Sequence, residues 1–216
     1  MFSSVNRDNI LLGTIDTHVH CGPDPVFEHR YDAFETAKLA EESGMRAIVL
    51  KNHSYPTAVV ASLVKKQVEK IDVFGGICLN WEVGGVNPEA VYACAKIGGK
   101  VVWMPTFSAD HCLKRLGRDQ ERGISILDDS GNLRPEVLDV LRIVKEHGLI
   151  LESGHLSPAE IYLLAKEAFK MGIEKVLITH PCAVKVGPAL SLTQQKELSE
   201  MGCYMEHLFY LYDAHE

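Results

Sequence analysis

Ile15-Asp16-Thr17-His18-Val19-His20-Cys21-Gly22-Pro23-Asp24 is the stretch from which the rest of the chain can be read. The residues leading into it from Leu11 are mostly apolar and β-compatible, and Gly22-Pro23 ends any regular element. His18 and His20 stand two apart at that boundary. Residues i and i+2 of a strand share a face, roughly 6.5 to 7 Å apart, so both imidazoles reach one metal ion at roughly 2.0 to 2.1 Å. The same pair also suits two ordinary histidines at a strand end, one tied to Asp16. Further ligands at other strand ends decide between the two.

Outward from this stretch the chain alternates strand and helix. The spacing predicts a helix over residues 32–43 closed by Gly44, a strand at 46–50, a helix over 57–70 and a strand at 71–78. A helix over 87–97, with Pro88 in its first turn, and a strand at 100–104 follow. Pro23, Pro56 and Pro105 all fall in loops after strands. From 106 to 134 the pattern breaks into a polar insertion, in which residues 124–133 read as a β-hairpin turning at Ser130-Gly131. The alternation resumes with a helix over 135–147, ended by Gly148, and a strand at 149–153. Ser157-Pro158-Ala159-Glu160 supplies an N-cap, a first-turn proline and a capping-box glutamate for a helix that Gly172 closes. A strand at 175–179, a helix over 191–201 and a strand at 203–206 complete the series. Seven βα-type units predict an α/β fold, either a TIM-like (β/α) barrel with its eighth unit incomplete or absent, or an open doubly wound sheet. No Gly-rich nucleotide fingerprint follows any strand, which disfavours the open-sheet nucleotide binders.

The 216 residues, 46% apolar, carry no Gly/Ser-rich linker, so 1–216 is expected to be one domain with the insertion at about 106–134. No signal-like segment opens the chain and no apolar run approaches the roughly 18 residues that span a bilayer, so a cytoplasmic protein without membrane contact is expected. A net charge of −7 argues against a broad nucleic-acid footprint. The six cysteines form no CxxC pair and read as reduced thiols. Cys21, Cys112 and Cys182, in loops near histidines, are buried small residues or else a ligand or nucleophile.

His18 and His20 end the first strand, His53 the second, His155 the fifth and His180 the sixth. In a barrel these ends meet on one face, where such folds carry their chemistry. Asp16-Thr17-His18-Val19-His20, Glu152-Ser153-Gly154-His155 and Ile178-Thr179-His180-Pro181 resemble the metal motifs of the amidohydrolase superfamily, metal-dependent barrel hydrolases, across essentially the whole chain. That resemblance implies His18, His20, His155 and His180 as ligands of one or two divalent ions, most often zinc. It implies hydrolysis of a small amide, lactone, cyclic imide or ester by metal-activated water. Asp16 is placed to fix the tautomer of a ligand histidine, to close a turn or to pair with Lys51.

Three departures from the family pattern matter. Strand four, Val101-Val102-Trp103-Met104, offers no bridging carboxylate or lysine, so a second ion would need Glu82, Glu206 or an outside anion. The eighth-strand aspartate that serves the family as general base is not found, and Glu206, ahead of Glu82 and Asp24, is expected to take that place. Lys51 and His53 share a parity and are expected at the pocket mouth, Lys51 as a point charge for an anionic small-molecule substrate and in catalysis. Asp110-His111 and Lys114, Arg115 and Arg118 of the insertion form an expected anion clamp, in which His111 and Arg115 touch substrate. Polymerase-and-histidinol-phosphatase (PHP) phosphoesterases also resemble a seven-stranded case, and Asp213-Ala214-His215 has their terminal spacing. A non-catalytic metal or ligand binder that has lost its base is the other alternative. The unfilled seam between strands one and seven implies a homo-oligomer, with Leu208 to Tyr212 covering the gap.

Overall fold

The structure is a computed structural model that describes residues 10–208. The strands β1 (Ile15–His20), β2 (Ala47–Lys51), β3 (Asp72–Cys78), β4 (Val101–Trp103), β5 (Ile150–Glu152), β6 (Val176–Thr179) and β7 (Tyr204–Glu206) form a single sheet in that order. Every neighbouring pair is parallel. Parallel strands need long crossovers, and helices supply them. These are α1 (Ala33–Glu42), α2 (Ala58–Val64), α3 (Pro88–Ile97), α4 (Asp110–Arg115), α5 (Pro135–His147), α6 (Pro158–Lys170) and α7 (Leu192–Glu200). The twisted sheet of the described residues curls into a TIM-like barrel with an incomplete eighth unit. Among the described residues no ladder joins β7 to β1. Instead the side chain of Glu206 bridges the seam, accepting from the Thr17 hydroxyl at 3.3 Å and lying 2.7 Å from His18 Nδ1.

Local chemistry explains the helices. Asp32 with Glu35, Ser157 with Glu160 and Ser191 with Gln194 close capping boxes on α1, α6 and α7, each satisfying backbone N–H groups that the first turn leaves open. Strand parity then sorts the side chains. Ile48 and Leu50 of β2 face α1 and α2, packing with Ala37, Ala61 and Val64, and Val102, Leu151 and Ile178 face α3, α5 and α6. The opposite parity fills the barrel with Val49, Cys78, Val101 and Trp103. Gly76 is required there, because a Cβ would lie 2.2 Å from the Val101 carbonyl and 2.6 Å from the Trp103 ring. Gly76→Ala is expected to cost about 1–3 kcal/mol by overpacking, read as a lower urea midpoint at unchanged slope.

Two expectations are refined. The helix after β2 stops at Val64 and continues only as a 3₁₀ turn to Gln67. Residues 124–133 keep the expected turn but form only a minimal hairpin: Leu127 and Leu133 make one antiparallel bridge, flanked by Asp128 N–H donating to the Asn132 carbonyl and Arg134 N–H to the Ile126 carbonyl, while Ile124 pairs in parallel with Ala109. The cause is Glu160, whose Oε1 accepts from the Ile126 N–H and the Ser125 hydroxyl and so takes up groups that a ladder would use. No helix of the described residues is long and apolar enough to cross a membrane. Asp213-Ala214-His215 and most of the segment from Leu208 to Tyr212 lie outside the described residues.

Candidate active site

The C-terminal ends of the strands carry five imidazoles into one closed ring. Going round it, centroids are separated by 5.1 Å from His18 to His20, 4.8 Å from His20 to His53 and 6.0 Å from His53 to His155. The circuit closes with 4.9 Å from His155 to His180 and 6.0 Å from His180 to His18. The ring lines a cavity of about 650 Å³ with Lys51, Phe27, Glu28, His29, Phe107, Ala183, Val186 and Leu208. His180 reaches it from a left-handed backbone, φ +29°, and Gly154 turns β5 towards His155 at φ +59°, where a Cβ would strike the Met104 carbonyl at 2.3 Å. Strain of this kind, worth about 1–3 kcal/mol at a non-glycine residue, persists where the surroundings hold it in place.

Beneath the ring lies a buried polar floor. Inward parity on β2 takes Lys51 deeper than the mouth position expected from sequence: it is fully buried, its Nζ donates to His18 Nε2 at 2.9 Å and lies 5.1 Å from the centroid of the Trp103 ring. With Nε2 accepting, the His18 ring proton sits on Nδ1 and is donated to Glu206. Glu152 stands beside them. Ligand atoms of His18, Glu152 and Glu206 all lie within 4.8 Å of one another. Glu152 is fully buried, its Oε2 accepting from the Thr179 hydroxyl at 2.9 Å. Burial, then the neighbouring Glu206, pushes the Glu152 carboxyl well above the usual range, and burial also raises Glu206. The histidines are held neutral. Burial and then Lys51 bring His20 down to about 2 and His180 to about 4. Burial lowers His18, His53 and His155 too.

The donor chemistry suits a divalent ion, and the described ligand atoms already gathered within reach of one point are those of His18, Glu152 and Glu206. Neutral imidazoles offer lone pairs, and two ligands at about 2.0 to 2.1 Å on a tetrahedron lie about 3.3 Å apart; His18 Nε2 and His20 Nε2 are 3.2 Å apart. His155 Nδ1, His180 Nδ1 and Glu152 Oε1 are buried without a hydrogen-bond partner, and groups of that kind are costly to leave unmatched.

Other sequence expectations fall elsewhere. His111 and Arg115, with Lys114 and Lys185, wall a separate cavity of about 470 Å³, and Arg115 Nε donates to the Val184 carbonyl at 2.6 Å. Lys114 pairs with Asp110 and Arg118 with Glu121 one turn along, so the expected clamp is taken up by local partners and does not cover the histidines. Asp16 accepts from the backbone N–H of His18 at 2.9 Å, closing a turn; Glu206 binds the ring. Asp24 accepts from the Val26 and Phe27 N–H groups and from Asn52, anchoring the loop that carries Phe27. Cys21 and Cys112 are pushed up to about 11 by burial and are poor nucleophiles. Glu152 is the residue the sequence reading passed over, although an acid inside the apolar run 149–153, in phase with Ile150, was the available signal.

Comparison with known proteins places the chain among barrel folds. The probable dipeptidase PvdM from Pseudomonas aeruginosa superposes with a TM-score of 0.65 at 10% identity, over 93% of this chain and 60% of that one. This chain therefore spans less than two thirds of that protein. The 5-methylcytosine deaminase from Klebsiella pneumoniae, crystallised with phosphonocytosine, gives a TM-score of 0.47 at 16% identity over 77% of this chain and 40% of that one. Curated protein sequences give no match. The model of the Family of unknown function DUF6282 matches residues 13–206.

Proposed function

The chain belongs to the DUF6282 family of unknown function, and we propose that it is a metal-dependent hydrolase of the amidohydrolase type acting on a small amide, lactone, cyclic imide or ester. The closed ring of five neutral imidazoles at the strand ends carries this reading. His18, His20, His155 and His180 are the residues that would hold the ion, zinc by the nature of the donors, with His53 the fifth nitrogen donor of the ring. An ion held there would supply Lewis-acid polarisation of the bond attacked and would make water easier to deprotonate near neutral pH.

The chain's own residues do the rest. His53 is tethered through Nδ1 to Thr106 Oγ1 at 2.8 Å, which fixes its ring against His20. Lys51 is a buried point charge at the cavity floor, placed to stabilise an anionic oxygen. Glu206, expected from sequence to be the general base, has both oxygens engaged by Thr17 and His18. We assign it to positioning His18, as a carboxylate behind a ligand histidine does. Glu206→Gln is then expected to weaken metal affinity by about 10- to 100-fold, measured by competition with a chromogenic chelator. Unchanged affinity with turnover down by about 10²- to 10⁴-fold would return Glu206 to the role of base.

The reading is tested by elemental analysis of the purified protein together with turnover on amides, lactones, cyclic imides, esters and phosphoesters. Metal with hydrolysis of a carbonyl substrate supports it. Activity confined to phosphoesters favours the PHP alternative, and metal without any turnover favours the non-catalytic one.

A further inference from the structure

Beside the histidine cavity lies a second one of about 490 Å³, and the two share Phe27, His53 and Phe107 as walls. The Phe107 centroid is 4.5 Å from that of His53 and 5.3 Å from that of Phe27, so three packed rings form the wall shared by the chambers, with Phe27 exposed at its rim. Beyond it the walls are Trp81, Leu113 and Leu116, with Arg118 and Arg122 at the edge. The two arginines differ. Arg118 is bound by both oxygens of Glu121 at 2.5 and 2.6 Å. The Arg122 guanidinium lies 4.2 Å over the Trp81 ring and, among the described residues, has no carboxylate partner. The Ser54 hydroxyl of this chamber is buried and unpartnered.

The chamber is concave and mixed in character, its aromatic and leucine walls set among polar residues that include Glu82 and the Arg118-bound Glu121, and a site of that kind suits a small amphipathic molecule. An indole face beside an uncommitted guanidinium suits a flat ring carrying an anion. We propose that the second chamber is the specificity pocket for an aromatic amide or ester whose ring also bears a carboxylate. The scissile carbonyl lies on the histidine side of the shared wall, the ring lies across its exposed rim at Phe27 and Phe107 towards Trp81, and the carboxylate meets Arg122. Hydrolysis of the amide breaks its C–N bond as water's oxygen joins the acyl carbon, and the amine leaves with a proton from that water. The assignment of a substrate rests on the hydrolytic reading above; occupancy of the chamber does not require turnover.

Calorimetric titration of the purified protein with 4-carbamoylbenzoate, benzamide and 4-carbamoylbutanoate separates ring from charge. The first is expected to bind about tenfold more tightly than either of the others. Arg122→Met should bring it to the level of benzamide while leaving benzamide unchanged, Arg122→Lys should retain part of the difference, and Trp81→Leu should weaken both ring-bearing probes. Equal binding of the three probes, or indifference of 4-carbamoylbenzoate to both Arg122 variants, overturns the proposal. Chamber binding by a metal-loaded protein that hydrolyses none of the amide or ester panel overturns the hydrolytic reading alone, and the ligand class stands on the binding.

Discussion

Treated with a chelator, the protein is expected to lose stability steeply as pH falls from about 6.5 and to unfold with the uptake of several protons. His18, His20, His53, His155 and His180 all have folded-state pKa values below the unfolded one, chiefly through burial. Their stabilising contribution is therefore complete above the unfolded value, and it is lost as the pH falls towards the folded values because the unfolded chain binds more protons there. Each such histidine gives a slope of about 1.4 kcal/mol per pH unit. His180 alone, with its folded value near 4, accounts for about 3 kcal/mol over that window. Domain stabilities total about 5–15 kcal/mol, so the loss across these histidines is expected to be a large share of the total. Glu152 and Glu206 work in the other direction: their raised pKa values contribute stability at low pH that is lost as pH rises through the folded values. Two groups do not offset five. Urea midpoints measured across this range test the expectation, and a dependence of less than about one proton per molecule would show that the imidazoles are solvated.

His180→Ala is expected to remove metal binding while leaving the metal-free protein as stable as the parent or more so. The imidazole is buried with Nδ1 unpartnered, a burden of about 1–3 kcal/mol, and it is carried on a left-handed residue. Removing it relieves the first cost. A purely structural core histidine would behave in the opposite way and lower the melting temperature. His18→Ala differs in kind, because it deprives Lys51 of its acceptor and Glu206 of a donor. It should lose both the metal and about 2–4 kcal/mol of stability, as expected when a buried polar network is broken. Elemental analysis beside thermal melts of the stripped proteins reads both quantities. Full metal content in either variant would remove that histidine from the ligand set.

Much of this architecture was open to reading one residue at a time. The capping box at Ser157 and Glu160, the glycine after α5 and the period-two alternation of the strands act within a few residues. The seven strands and the strand-end histidines therefore followed from local steric and hydrogen-bonding rules. The hairpin of the insertion is cut to a single bridge because the Ile126 N–H that would extend its ladder is taken by Glu160, 34 residues away.

The sequence by itself determined the alternation of strand and helix, the shared parity of Lys51 and His53, and the placing of His18, His20, His53, His155 and His180 at strand ends. Only the tertiary structure decided how those residues meet. Curling of the sheet brings β7 against β1, so Glu206 grips a histidine 188 positions away, and Glu152 becomes a buried neighbour of both. It also turned Lys51 from a mouth residue into a floor residue and left Arg115 on another cavity. The physical reason is that dihedral preference and side-chain period act over a few residues, whereas sheet curvature sums small twists over seven strands and sets contacts that no local pattern encodes.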